Sequence, residues 1–165
     1  MRISRTQGAA IGIEGELMQR KSTDDNIRII ESMLYKQSEI REAVRDVRAG
    51  HGGHTGGSPT GHAFISDTTA MEAIRHIEEV PLVNLDTGEK IHYPERWIKL
   101  FDSLAEWARG DFVKKGLLQR RYSGEDYRST CADLSISPTT YFCNLQEIRN
   151  YSLAIACQLG VTRLI

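Results

Sequence analysis

The chain has 165 residues, of which 40% are hydrophobic and 26% are charged, and its formal net charge is −1. This length has room for one hydrophobic core or two small helical modules, and the composition is typical of a globular protein. No apolar run approaches the roughly 20 residues that a membrane-spanning helix needs, so we expect no membrane partner and a cytoplasmic location. The near-neutral charge argues against a protein that coats nucleic acid without sequence preference.

Basic residues are concentrated in the second part of the chain. Residues 1–95 carry 11 basic and 15 acidic side chains, whereas residues 96–165 carry 10 basic and 7 acidic ones. This asymmetry favours nucleic-acid binding by the second part, although a solvated helix surface is an alternative. The cysteines are odd in number and lack paired C-x-x-C spacing, so we expect small buried residues in a reducing compartment. They are Cys131, Cys143 and Cys157.

Residues 1–23 have little periodicity and are rich in glycine and basic residues, so we interpret them as a mobile leader. An arm that touches nucleic acid is an alternative. A helix is predicted over Asp24–Ala49, because its first acidic residues suit the positive end of a helix dipole and its apolar residues recur at helical spacing. The apolar stripe shifts near Gln37. Residues 24–93 are interpreted as a helical N-terminal region.

A glycine- and histidine-rich segment, residues 50–62, interrupts this region. Its histidines, His51, His54 and His62, have a spacing that could place two imidazoles on one ion. The segment has no cysteine or carboxylate to complete a metal site, and its glycines would leave it too mobile to hold one. We therefore predict a flexible loop, no metal site and no cofactor.

Two elements are predicted after this loop. Ser66-Asp67 suits a helix start, and the helix is predicted over residues 66–80. A small β-hairpin is predicted over residues 82–93, because Asp86-Thr87-Gly88 is a turn signal between two β-prone runs. Two strands alone are marginally stable, so the hairpin would have to pack on helices.

Two further helices are predicted over residues 94–110 and 111–122, opened by Pro94 and Asp111. The first has an apolar face that is typical of a core, formed by Trp97, Leu100, Phe101, Leu104 and Trp107. In the second, the residues predicted to point inward are Phe112, Val113, Leu117 and Leu118. Those predicted to lie outward are Lys114, Lys115, Arg120 and Arg121.

A short helix, a turn and a long helix are predicted over residues 123–159. Ser123 and Asp126 have the spacing of a capping box at the start of the first helix. Ser137 and Pro138 are the residue types that favour the N-cap and first position of the second helix. We therefore predict a helix-turn-helix DNA-binding domain in residues 94–165.

The second helix of this motif has two predicted faces. Tyr141, Leu145 and Ile148 recur at helical spacing and are predicted to pack on the first helix. The residues predicted to face DNA bases are Ser137, Thr139, Thr140, Phe142, Cys143 and Gln146. The residues predicted to contact phosphates are Lys114, Lys115, Arg120, Arg121, Arg128 and Arg149. The last turns must pack on earlier helices or on another copy, which would form a homodimer.

The motif resembles region 4 of sigma factors as reused in bacteriophage late-gene regulators, including the RinA and ArpU families of activators and antitermination proteins of the Q type. The residues that carry the resemblance are Leu118, Arg121, Tyr122, Cys131, Leu134, Ile136, Ser137, Thr140, Tyr141 and Leu145. The resemblance covers about residues 95–160. It implies a mainly α fold with a sigma-region-4-like helix-turn-helix, double-stranded DNA as a partner, and action with RNA polymerase in a bacterial host cell.

Other functions are less well supported by the sequence. The catalytic motifs G-x-S-x-G and H-E-x-x-H do not occur, so we expect no enzymatic activity. A phage DNA-packaging protein similar to a small terminase subunit could also carry a helix-turn-helix, and it would form rings. A helix-turn-helix that binds only protein is a third alternative.

Overall fold

The computed structural model describes residues 23–49 and 78–162. These residues form six helices and one two-stranded antiparallel sheet, so the predicted mainly α fold with a small β-hairpin is confirmed. In chain order the elements are α1 (23–35), α2 (Gln37–Arg48), β1 (Leu82–Asn84), β2 (Lys90–His92), α3 (Pro94–Ala108), α4 (Phe112–Arg121), α5 (Tyr127–Asp133) and α6 (Pro138–Gln158).

Several sequence predictions fall on residues outside the described ranges. The leader over residues 1–23 lies outside them except for residue 23, and the glycine- and histidine-rich segment over residues 50–62 lies outside them entirely. The predicted helix over residues 66–80 is described only at residues 78–80, which are not helical. Its predicted end at Val80 is therefore wrong.

The chain divides into two compact units. The described parts of one are residues 23–35 and 100–162, and the other consists of residues 36–49 and 78–99. This division differs from the predicted one at residue 93. Helix α1 belongs with the C-terminal helices, because its Glu31 and Tyr35 contact side chains of that unit.

The single helix predicted over Asp24–Ala49 is wrong, because a turn at Lys36 separates α1 from α2. The backbone of Lys36 has φ −95° and ψ 10°, which is outside the α-helical range. The shift of the apolar stripe near Gln37 reflects this break. Ile30 and Leu34 are buried on α1, whereas the buried residues of α2 belong to the other unit.

The unit of residues 36–99 contains α2, the hairpin and the first turns of α3. In the hairpin, Val83 pairs with Ile91, and both side chains are buried. Gly88 has φ +81°, a left-handed conformation that suits glycine in the predicted turn. Helix α2 packs on β1 and buries Ile40 and Val44. The predicted hairpin is therefore stabilised by a helix, as two lone strands require.

The other unit is built on mutual contacts of α4, α5 and α6. Gly116 of α4 is buried, and a Cβ atom there would lie 2.5 Å from the Cδ2 atom of Leu134. A side chain at this position would require the Leu134 side chain to move, so the glycine lets Leu134 pack closely against α4. On α6, Tyr141, Leu145 and Ile148 are buried, so the predicted inward face is confirmed.

Two predictions about local structure in this unit are wrong. Asp126, rather than Ser123, is the N-cap of α5 and accepts a hydrogen bond from the backbone N–H of Arg128. Ser123 instead donates its hydroxyl to the Arg120 carbonyl and so ends the preceding helix. Phe112 is 71% exposed, because it lies ahead of the turn of α4 that packs on α5.

The other apolar and cysteine predictions have mixed outcomes. Leu117 is fully buried, whereas Val113 and Leu118 are half-buried. Among the cysteines, Cys131 is buried, Cys157 is half-buried and Cys143 is exposed. Within the described ranges, no helix combines the length and apolar character that crossing a bilayer requires.

Candidate nucleic-acid interface

The N-terminal end of α6 is fixed by its capping residues. Ser137 is the N-cap, its hydroxyl oxygen accepts the backbone N–H of Thr140 at 3.1 Å, and Pro138 is the first helical residue. The predicted start of this helix is confirmed. Residues 134–137 join it to α5, and Ser135 has φ +53°, a left-handed conformation that non-glycine residues seldom adopt. The connection is therefore tight, and it orients the first turn of α6.

The first turns of α6 present an uncharged outward face. All six predicted base-facing residues are exposed: Ser137, Thr139, Thr140, Phe142, Cys143 and Gln146. Thr139, Phe142, Cys143 and Gln146 share one side of the helix, since their spacing is i, i+3, i+4 and i+7. The Gln146 amide donates to the side-chain oxygen of Asn150 at 3.0 Å. This face therefore combines hydroxyl, amide and aromatic groups without a formal charge.

Aromatic rings connect the exposed end of α6 to its buried face. The Phe142 ring meets the Tyr141 ring edge-on, with centroids 5.1 Å apart, and lies 5.8 Å from the Tyr127 ring. The guanidinium of Arg128 lies 5.7 Å from the centroid of Tyr127 and donates to its hydroxyl. Because Tyr141 is fully buried, the exposed Phe142 ring rests on the core.

Lys114 and Arg120, two of the predicted phosphate-binding residues of α4, have intramolecular partners. Lys114 lies 2.9 Å from a carboxylate oxygen of Glu147 and 3.0 Å from one of Asp111. These hydrogen bonds, with Glu147 first, raise the pKa of Lys114 above its usual value. Arg120 forms ion pairs with both Glu125 and Asp133. Both cations are therefore already neutralised within the unit.

The prediction that Arg121 lies outward is wrong. Its guanidinium donates to the hydroxyl of buried Tyr141 at 3.1 Å and lies 3.5 Å from Glu31 of α1. Burial alone would lower the pKa of Arg121, but the hydrogen bond to Tyr141 and the charge of Glu31 leave it raised. Arg149 of α6 also binds Glu31, at 3.0 Å. Two predicted phosphate contacts thus hold α1 against the C-terminal helices.

Two predicted phosphate contacts remain accessible. Lys115 is exposed and has no ion-pair partner among residues 23–49 and 78–162. Arg128 is exposed, and its contacts are with the neighbouring Tyr127 ring rather than with a carboxylate of the described residues. Sequence reasoning therefore identified the outward polar residues of α6 well, but it missed the acidic partners of the cations on α4.

The C-terminal half of α6 packs on an earlier helix, which is the first of the two alternatives from the sequence. The Tyr151 ring stacks on Trp107 of α3, with centroids 4.4 Å apart and planes at 11°. Ser152 and Ala156 are buried on the same helix. Gly160, with φ +67°, lies just after the last helical residues, as its residue type predicts.

The described residues contain no candidate metal-binding site. Within residues 23–49 and 78–162, no group of three or more histidine, cysteine, aspartate or glutamate side chains could hold a metal ion. The arrangement on α4–α6 can form hydrogen bonds and apolar contacts with a partner of complementary shape. The chain matches no family model, no curated protein and no solved structure at a significant level.

Proposed function

We propose that this chain is a sequence-specific DNA-binding regulator of transcription, and that the N-terminal half of α6 reads the bases. The observation that carries this proposal is the exposed, uncharged face of Thr139, Phe142, Cys143 and Gln146 at the capped end of a helix whose other face is buried. Hydroxyl, amide and aromatic side chains are the groups that recognise base edges in the major groove. Helix α5 supports α6, as the first helix of a helix-turn-helix does.

Lys115 and Arg128 are the phosphate contacts in this proposal. Both are exposed, and neither is paired with a carboxylate among the described residues. Two cations give little of the counterion release on which DNA affinity depends. We therefore propose that a second copy of the chain or RNA polymerase supplies the remaining affinity.

The resemblance to phage late-gene regulators suggests the biological setting. A weakly charged reading helix suits a protein that is recruited to a promoter together with polymerase, because the polymerase supplies its own DNA contacts. We propose activation of late genes, or antitermination of the Q type, in a bacterial host cell. Both require the same contact between α6 and DNA.

The test is selection of DNA duplexes from a random-sequence library by the full chain, followed by affinity measurements at several salt concentrations. We expect an enriched sequence whose affinity falls as salt rises. The salt slope is the slope of the logarithm of affinity against the logarithm of salt concentration. The double variant Lys115→Ala/Arg128→Ala should reduce its size by about 1.8, at about 0.9 per phosphate contact. The matched control is Arg45→Ala/Lys90→Ala, which removes the same charge from two exposed positions of the other unit.

A second variant tests α6, the proposed recognition helix. Thr139→Glu places a carboxylate on the outward face, and like-charge repulsion from DNA should reduce affinity by at least about tenfold. Thr87→Glu adds the same charge at the exposed turn of the hairpin and should have little effect. Failure to enrich any sequence, both by the chain alone and in the presence of bacterial RNA polymerase, would contradict the proposed function and favour a module that binds only protein. A large ring by mass measurement in solution would favour a packaging protein.

A further inference from the structure

Phe142 is the outstanding feature of the proposed reading face. It is 54% exposed, and single exposed apolar residues are common enough to need no explanation. This ring, however, is held in place by two others: Tyr141 meets it at 83° and Tyr127 at 39°. A ring that is fixed before binding loses little conformational entropy when a partner covers it.

The charges around Phe142 restrict what can cover it. Residues 137–146 contain no charged side chain, so the ring faces its partner without an ionic group beside it on α6. The guanidinium of Arg128 lies 5.7 Å from the centroid of the Tyr127 ring, and that ring lies 5.8 Å from the Phe142 ring. A cation placed beside an uncharged apolar surface is complementary to a DNA edge, where phosphates flank the bases.

We infer that Phe142 reads the C5 methyl group of a thymine in the major groove. The thymine methyl is the apolar group that the base edges present there, and a phenyl ring is one of the side chains that contact it. Thr139 and Cys143 lie one turn before and one residue after the ring, and their small side chains leave its outer surface accessible. This inference rests on the proposed function and assigns a base to one residue of the reading face.

The test uses the duplex enriched from the random-sequence library and the full-length chain. Each thymine of the site is replaced, one at a time, by deoxyuridine, which removes only the methyl group. Burial of one methyl group contributes about fourfold in affinity, so one replacement should weaken binding by about that factor. The Phe142→Ala variant should bind the thymine and deoxyuridine duplexes equally.

Phe112→Ala is the matched control, because Phe112 is the other exposed phenylalanine of this unit among the described residues. It should retain the wild-type preference for thymine. Thermal melting would verify that Phe142→Ala is folded, and Phe142→Gln provides a second variant with a good helix former that should also lose the preference.

The outcomes separate this inference from the proposed function. Sequence-specific binding that no deoxyuridine replacement weakens would overturn the thymine assignment and leave the proposed function intact. A thymine preference that survives in both Phe142 variants would also overturn it, because another residue would then read the methyl. Absence of any enriched duplex would overturn both, and it would leave the aromatic surface as a protein contact.

Discussion

Helix α4 and the first turns of α6 were both predicted to contact DNA, but their side chains differ in charge and in intramolecular pairing. On α4, Lys114 and Arg120 are paired with carboxylates, and Arg121 is turned toward the core. On α6, the predicted residues are exposed and carry no charge. The helix with the most positive charge in its sequence therefore offers less of it to a phosphate than the sequence suggests.

This difference shows that the number of basic residues is a poor measure of available positive charge. A cation that is already paired with a carboxylate at about 3 Å must exchange one ion pair for another when DNA binds. Its net contribution to DNA affinity is therefore small. Groups without a formal charge, in contrast, lose little by being covered if the partner satisfies their hydrogen bonds. The exposed, uncharged surface on α6 is thus separable from the stabilising pairs on α4.

The largest effect is expected where the two helices share a residue. Tyr141 is fully buried, accepts a hydrogen bond from Arg121 and supports the Phe142 ring. Tyr141→Ala should lower the free energy of unfolding by about 3–5 kcal/mol, because it leaves a large cavity and removes the hydroxyl that accepts the Arg121 hydrogen bond. Chemical denaturation measures this change.

An exposed position two residues earlier on α6 provides the control for that measurement. Thr139→Ala should change the free energy of unfolding by less than about 0.5 kcal/mol, since a surface residue without tertiary contacts contributes little. Equal decreases in the free energy of unfolding for Tyr141→Ala and Thr139→Ala would contradict the division of α6 into a buried face that stabilises the fold and an exposed face that does not.

Glu31 of α1 is the next strongest test, because it pairs with both Arg121 and Arg149. Glu31→Gln should lower the free energy of unfolding by about 1–3 kcal/mol, since two partly buried guanidinium groups lose a charged acceptor. Asp25→Asn on the same helix is the control. Its pair with Arg28 is exposed, at 69% and 81% for the two side chains, and it should contribute almost nothing. Equal stability of Glu31→Gln and the wild type would contradict a stabilising role for the two ion pairs.

The sequence predicted the elements that depend on local chemistry. Ser137-Pro138 identified the start of α6, Gly88 identified the hairpin turn, and Gly160 identified the end of α6. Each of these depends on the backbone preferences of one or two residues, which the sequence displays directly. The spacing of Tyr141, Leu145 and Ile148 likewise identified the buried face, because helical periodicity is local.

The sequence could not reveal which carboxylate pairs with which cation. Glu31 and Arg149 are 118 positions apart, and only the packing of α1 on the C-terminal helices brings them together. One local pair could have been predicted from the sequence, because Asp111 and Lys114 have the i, i+3 spacing of a helical ion pair. The break at Lys36 was also partly visible, since the apolar stripe shifts beside it.

Asp111 provides a pH test of the neutralised helix. Its carboxylate caps α4, and the backbone N–H of Lys114, followed by the Lys114 ammonium, lowers the pKa of Asp111. A carboxyl whose pKa is lower in the folded state contributes stability above its usual pKa of 3.8, and that contribution is lost as pH falls through the folded value. Asp111→Ala should therefore cost about 1 kcal/mol at pH 7 and less in strong acid, where the carboxyl is protonated.

Denaturation of the wild type and Asp111→Ala across pH 2–7 measures this difference. Asp111→Asn is the control, because asparagine caps a helix about as well and does not titrate. Its cost should be small at neutral pH. A difference between wild type and Asp111→Ala that persists unchanged at pH 2 would contradict the role of the ionised carboxylate.

The smallest effect on stability, and the most direct test of the comparison, comes from freeing Arg120. Glu125→Gln/Asp133→Asn removes both of its partners, which are 40% and 46% exposed. Exposed pairs contribute little, so the free energy of unfolding should change by less than about 1 kcal/mol. If intramolecular pairing is what withholds Arg120 from phosphates, the variant should gain one contact and its salt slope should steepen by about 0.9.

Glu39→Gln/Glu42→Gln makes the same change in net charge on exposed positions of α2. This control separates a local gain of one phosphate contact from a general effect of net charge, which would steepen both slopes alike. A steeper slope in the Arg120 variant alone would show that the cations of α4 are suitably placed but occupied. Unchanged slopes in both variants would show that Arg120 lies away from the DNA.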